Sequence, residues 1–143
     1  MDMGKFLANY VACRSVSSDD RSLGGMDDAR KLLIETFRDL SIRASEVKIG
    51  RHAAVFAETE RQTGRPTILV YGHYDVQPAD DVELWTSDPF TLVQRNNRWY
   101  GRGASDNKGP VTAILAAIHD LLGERKKLPV NLKFVFEGEE EIG

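Results

Sequence analysis

The sequence predicts an α/β fold with a mixed, largely parallel sheet flanked by helices, and three segments carry that prediction. "TILVYG" (Thr67–Gly72) is an apolar, β-branched run of strand type. Val111, Ile114, Leu115, Ile118, Leu121 and Leu122 recur at three- and four-residue steps, the period of a helix with one buried face. Val130, Leu132, Phe134 and Phe136 alternate along the chain, the period of a strand. Strand, helix and strand in that order form a β-α-β crossover. Such crossovers join parallel strands and are nearly always right-handed.

The remaining elements fit around this unit. Phe6, Leu7, Tyr10 and Val11 predict a short amphipathic first helix. "SVSSDDRSLGG" (Ser15–Gly25) is polar and turn-rich and reads as a loop. Met26, Ala29, Leu32, Leu33, Thr36, Phe37 and Leu40 follow with helical spacing. Ser45–Ile49 and Ala53–Thr59 predict two strands of a hairpin around "GRH" (Gly50–His52). Pro78 to Pro89 is irregular, with Trp85 and Phe90 as its large apolar anchors. Thr91–Val93 and Arg98–Tyr100 predict a second hairpin around "RNN".

Composition narrows the function classes. The chain has 143 residues, 41% hydrophobic and 29% charged, which is globular and of single-domain size. A net charge of −3 gives no basic field for nucleic acid or an anionic membrane. No apolar run approaches the roughly 20 residues of a membrane span, and "MDMGKFLANY" lacks the apolar segment of a signal peptide. Cys13 is the single cysteine, so no internal disulfide can form and a cytoplasmic setting is expected.

Ligands of open α/β sheets bind beyond the carboxyl ends of the strands. Three polar clusters fall on that rim. At the end of the first strand, His73 and Asp75 are two residues apart, so on extended backbone they point to the same side. Imidazole is a good zinc ligand, and a carboxylate can accept its other ring N–H. Asp106, in "GRGASDNKGP" (Gly101–Pro110), stands just before the helix; glycines at 101, 103 and 109 point to unusual backbone geometry there. Glu139, Glu140 and Glu141 follow the last strand, and a bound dication would offset their mutual repulsion.

Each cluster also has a plain structural reading. These are a surface histidine in a loop, a carboxylate favoured by the helix dipole, and a solvated acidic turn. Their occurrence together on one rim points to a metal-assisted hydrolase. The glycine-rich stretch is not a phosphate loop, because it lacks the G-x-x-x-x-G-K-[ST] order. Lys108 is therefore no sign of a nucleotide.

"GHYDVQP" (Gly72–Pro78), "LWTSDPF" (Leu84–Phe90), "YGRGASDNKGP" (Tyr100–Pro110) and "FEGEEEIG" (Phe136–Gly143) resemble a family of zinc-dependent amidohydrolases. That family includes carnosinase-like dipeptidases, acetylornithine deacetylase and succinyl-diaminopimelate desuccinylase. The motifs stand in the family's order over about the second half of the chain, and "YDVQP" is most similar to the dipeptidase branch.

The resemblance implies a role for each residue. His73 matches a ligand of one zinc, and Asp75 the catalytic aspartate that orients it. Asp106 matches the aspartate shared by two zinc ions, with a cis peptide to Asn107. Glu140 matches the general base and Glu141 the ligand of the other zinc, while Glu139 falls on a variable position. Two zinc ions, with cobalt or manganese as substitutes, would serve hydrolysis of a dipeptide or an N-acyl amino acid.

The pattern also implies what is not in these residues. The family supplies a further acidic ligand and a histidine downstream, and an inserted domain that carries homodimer contacts. Residues 1–143 are accordingly read as the N-terminal, truncated part of a catalytic domain, inactive alone. His52 and His119 do not replace the missing histidine by motif. A sheet ending at Phe136 is expected to leave an unpaired apolar edge where the family's further strands belong. An acetylornithine-type deacylase and a non-catalytic fragment with weak metal binding remain alternatives.

Overall fold

A computed structural model describes residues 1–124 and 127–143. Two helices open the chain, α1 (Met3–Ala12) and α2 (Leu23–Asp39). The hairpin β1 (Arg43–Val47) and β2 (Ala54–Glu58) follows, then β3 (Thr67–His73). A second hairpin, β4 (Val93–Arg95) and β5 (Arg98–Tyr100), precedes α3 (Lys108–Glu124) and β6 (Asn131–Glu137). Among the described residues no helix is long and apolar enough to cross a membrane.

The main sheet is mixed, in the order β1-β2-β6-β3. Its parallel part is the β3–β6 pair, in register from Thr67 opposite Asn131 to His73 opposite Glu137. The β1–β2 and β2–β6 pairs are antiparallel. The expected β-α-β unit is therefore present, with α3 carrying the chain from β3 to its neighbour β6. His73 and Glu137 stand side by side at the carboxyl ends of these strands.

Packing follows the sequence periods. Leu132, Phe134 and Phe136 of β6 are buried, and Lys133 between them is exposed. Phe37 of α2 meets Phe134 and Phe136 at ring-centroid distances of 4.8 and 5.8 Å, offset contacts that favour aromatic pairs. Val111, Leu115 and Ile118 of α3 join the same core as Met26, Ala29 and Leu33 of α2. Asp2 caps α1, its side chain accepting the Lys5 N–H at 3.0 Å. Asn96 and Asn97, at φ 49° and 58°, make the tight turn between β4 and β5, the conformation that two-residue hairpin loops require.

The structure corrects the sequence reading in two places. Helix α2 begins at Leu23, inside the stretch expected to be loop, because a short 3-10 turn (Asp20–Ser22) runs directly into it. That turn is fixed by Asp19, which accepts the Arg21 N–H at 3.0 Å. The sheet has two edges, β1 and β3, and the unpaired apolar edge falls on β3, since β6 has a partner on both sides. Ile68, Leu69 and Tyr71 on β3 are 48%, 62% and 56% exposed, although the run reads as a buried strand. Its apolar character matches a covered strand, and nothing among the described residues covers it.

Candidate metal centre

Beyond β3 the backbone stays tied to β6, with Tyr74 N–H donating to the Glu137 carbonyl at 2.8 Å. The extended chain alternates its side chains here. Tyr74 turns into the core, fully buried, and its hydroxyl donates to the Ala53 carbonyl at 2.6 Å. Gly138, where β6 ends, lies against the Tyr74 ring, and any side chain at that position would overlap it. Tyr74 thereby sets how closely the two strand ends approach.

His73 and Asp75, on either side of Tyr74, are 5% and 0% exposed. His73 Nδ1 lies 3.1 Å from the Asp75 carbonyl oxygen and 3.4 Å from Asp75 Oδ1. Both are acceptors, so Nδ1 carries a proton, and Nε2 is the nitrogen that faces outward. Nε2 lies 3.0 Å from Asp106 Oδ1 and 3.8 Å from Glu140 Oε2. Burial alone would push the His73 imidazole down. Hydrogen bonds and charge from Asp75, with a further bond to Asp106, outweigh it and raise the pKa to about 9.

The loop before α3 delivers Asp106. Gly103 takes φ +80°, and a Cβ there would come 2.5 Å from Val76 Cγ1. The Asp106–Asn107 peptide is cis. Lys108 then enters the core with no exposed surface and donates to the Tyr10 and Cys13 carbonyls at 2.8 and 2.7 Å. Its burial lowers the amine pKa to about 7. The loop is thus bolted to the last turn of α1, while Asp106 stays open to solvent.

The three consecutive glutamates separate in space. Glu139 turns away and accepts the Arg51 N–H at 2.8 Å in the β1–β2 connection. Glu140 and Glu141 lie in a single 3-10 turn (Glu140–Ile142). One donor atom each from His73, Glu140 and Glu141 fall within 4.8 Å of one another. Gln77 Nε2 donates at 2.8 Å to both the carbonyl and Oε2 of Glu141. Asp75 Oδ2 accepts the Glu141 N–H at 3.0 Å and the Ser17 hydroxyl at 2.7 Å. Burial would raise the Asp75 pKa, but bonds from His73, Ser17 and the Glu141 amide hold it below the usual carboxylate value.

The structure therefore brings His73, Asp75, Asp106, Glu140 and Glu141 to one rim. Among the described residues no lysine or arginine forms an ion pair with Asp106, Glu140 or Glu141. One imidazole nitrogen with carboxylate oxygens, with no lysine or arginine paired to them among the described residues, is a donor set that fits zinc. His52 is buried, donating from Nε2 to the Ser17 carbonyl at 3.2 Å. His119 is exposed on α3, beside Asp120 Oδ1 at 2.9 Å. Neither reaches the rim cluster. Sequence reasoning missed Ser17, Gln77 and the structural part of Lys108. Gln77 and Lys108 lay inside quoted motifs, whereas nothing local distinguished Ser17 from its serine neighbours.

A parallel strand pair ends here in a histidine–carboxylate cluster, a candidate metal centre. The chain belongs to Peptidase family M20/M25/M40, whose family model matches residues 69–143. It is 37% identical over 123 residues to the Beta-Ala-His dipeptidase of Rattus norvegicus, covering 78% of this chain and 25% of the relative. It is 35% identical to the Cys-Gly metallodipeptidase of Schizosaccharomyces pombe, covering 96% of this chain and 31% of that protein. The crystal structure of human carnosine dipeptidase 1 superposes with a TM-score of 0.93 at 33% identity, over 99% of this chain and 32% of that one. The chain thus spans about a quarter to a third of the length of these relatives.

Proposed function

We propose that this chain supplies one side of the active site of a zinc-dependent dipeptidase. The observation that carries the reading is the gathering of His73, Glu140 and Glu141 at the carboxyl ends of the parallel pair β3–β6, with Asp106 Oδ1 3.0 Å from His73 Nε2. The relatives' names, dipeptidases for carnosine-type and Cys-Gly substrates, favour a dipeptide over an N-acyl amino acid.

In this reading His73, Asp106 and Glu141 would hold zinc. Zinc bound there would act as a Lewis acid on the scissile carbonyl and offset the repulsion among the three carboxylates. The chain's own residues do the rest. Asp75 keeps the proton of His73 on Nδ1 and so keeps Nε2 free to ligate. Glu140 accepts a proton from the attacking water and returns it to the leaving amine as the C–N bond breaks. A two-ion centre takes about three protein ligands per ion, so the reading places further ligands outside residues 1–143. It expects residues 1–143 alone to be inactive.

The test is a substrate panel on the whole protein. Dipeptides should be hydrolysed, with activity lost to a chelator and restored by zinc. Failure of the zinc-loaded protein to hydrolyse any dipeptide, or a preference for N-acyl amino acids, would overturn the dipeptidase assignment.

A further inference from the structure

The Asp75 carboxylate is fully buried: Oδ2 takes two hydrogen bonds, while Oδ1 has no hydrogen-bond partner and rests on the nearby His73 ring. Oδ1 faces His73 Nδ1 at 3.4 Å. Oδ2 takes two donors, the Glu141 N–H at 3.0 Å and the Ser17 hydroxyl at 2.7 Å. A carboxylate rotates as a rigid plane, so whatever fixes Oδ2 also fixes where Oδ1 meets the imidazole. The Ser17 hydroxyl, contributed by the segment after α1, is the one side-chain donor to Oδ2 among the described residues.

Ser17 is itself held firmly. It is 1% exposed, and the buried His52 ring donates to its carbonyl at 3.2 Å. Its neighbour Val16 forms an isolated parallel bridge with Val76, and Val76 N–H donates to the Ser15 carbonyl at 2.9 Å. The Ser17 segment therefore runs alongside the chain that leaves β3, locked at the level of Asp75. We propose that Ser17 is a positioning residue of the metal centre, which acts through Asp75 to hold both His73 and the Glu141 backbone in ligating geometry. This inference rests on the zinc reading above.

Ser15 supplies a matched comparison. It is equally buried, and its hydroxyl also makes one buried bond, to the Tyr74 carbonyl at 2.6 Å, without touching Asp75. Ser17→Ala and Ser15→Ala each delete one oxygen from a buried hydrogen bond, so both should lose similar stability. Only the first should disturb the metal.

The experiment measures zinc dissociation constants for the whole wild-type protein and both variants, by competition with a chromogenic chelator. Denaturant unfolding of the metal-free forms and kcat and KM on a dipeptide are measured alongside. Ser17→Ala is expected to weaken zinc about tenfold, the lower end of what loss of a ligand's supporting partner causes. Its kcat should fall while KM stays within about twofold, as when an interaction that matters in the transition state is lost. Ser15→Ala should leave zinc affinity within about twofold. Zinc binding by Ser17→Ala equal to wild type, or equal losses in both variants, would overturn the inference and leave the proposed function standing. Failure of the wild-type protein to bind zinc would overturn both.

Discussion

The buried carboxylate of Asp75 accepts the backbone N–H of Glu141 at 3.0 Å, across a sequence separation of 66 residues. Asp75 follows β3 and Glu141 follows β6, so one carboxylate ties together the ends of the parallel pair. The same group faces His73 through its other oxygen. The two parts of the candidate metal centre therefore share a single anchor.

Replacement of Asp75 by asparagine tests that anchor. The Asn amide oxygen could still accept from Ser17 and Glu141, which would turn its NH2 toward His73 Nδ1. That NH2 would oppose the Nδ1 proton and leave the Asp75 backbone carbonyl at 3.1 Å as its one acceptor, so the proton is drawn toward Nε2, where it competes with ligation. Asp75→Asn is expected to weaken zinc about 10–100-fold and to shift the His73 ring to the other tautomer in nitrogen NMR. Wild-type affinity with an unchanged tautomer would contradict the role given to Asp75.

Lys108 ties the Asp106 loop to α1 through its two bonds to the Tyr10 and Cys13 carbonyls. Lys108→Ala would leave a cavity and remove both donors. A loss of about 3 kcal/mol in unfolding free energy is expected from those two effects together. Denaturant melts report it as a lower midpoint at unchanged slope. A change below about 0.5 kcal/mol would mean that the lysine is not the bolt described, since surface-like substitutions stay in that range.

The edge strand β3 gives a prediction about association. Leu69 is 62% exposed, and an open apolar edge is a template for pairing with another chain. Residues 1–143 alone should self-associate as concentration rises, and Leu69→Lys should suppress this by placing a charge on the edge. Light scattering on the two proteins makes the comparison. Identical association would show that β3 is not the sticky surface.

Much of this architecture is legible in the sequence because periods survive into three dimensions. The alternation Val130, Leu132, Phe134, Phe136 fixes which face of β6 is buried, and the two-residue step fixes that His73 and Asp75 flank Tyr74. Periodicity does not state which strand lies beside which. That is why the sequence alone left the open edge unassigned; it falls on β3, while β6 lies between β2 and β3. The motif residues His73, Asp106, Glu140 and Glu141 were readable as a set, and they do gather. Their supports were not, because bonds such as Ser17 to Asp75 or Lys108 to Tyr10 span 58 and 98 residues. No local pattern in one sequence encodes such contacts.

The central claim is that these residues hold a metal and that Glu140 moves the proton. Glu140→Gln in the whole protein tests it most directly, with bound zinc and kcat on a dipeptide measured in the same preparation. Gln keeps the shape of Glu but cannot take a proton from water. The account expects zinc content equal to wild type and kcat lower by at least about 100-fold, the usual contribution of a general base. Full zinc content with wild-type kcat would contradict it.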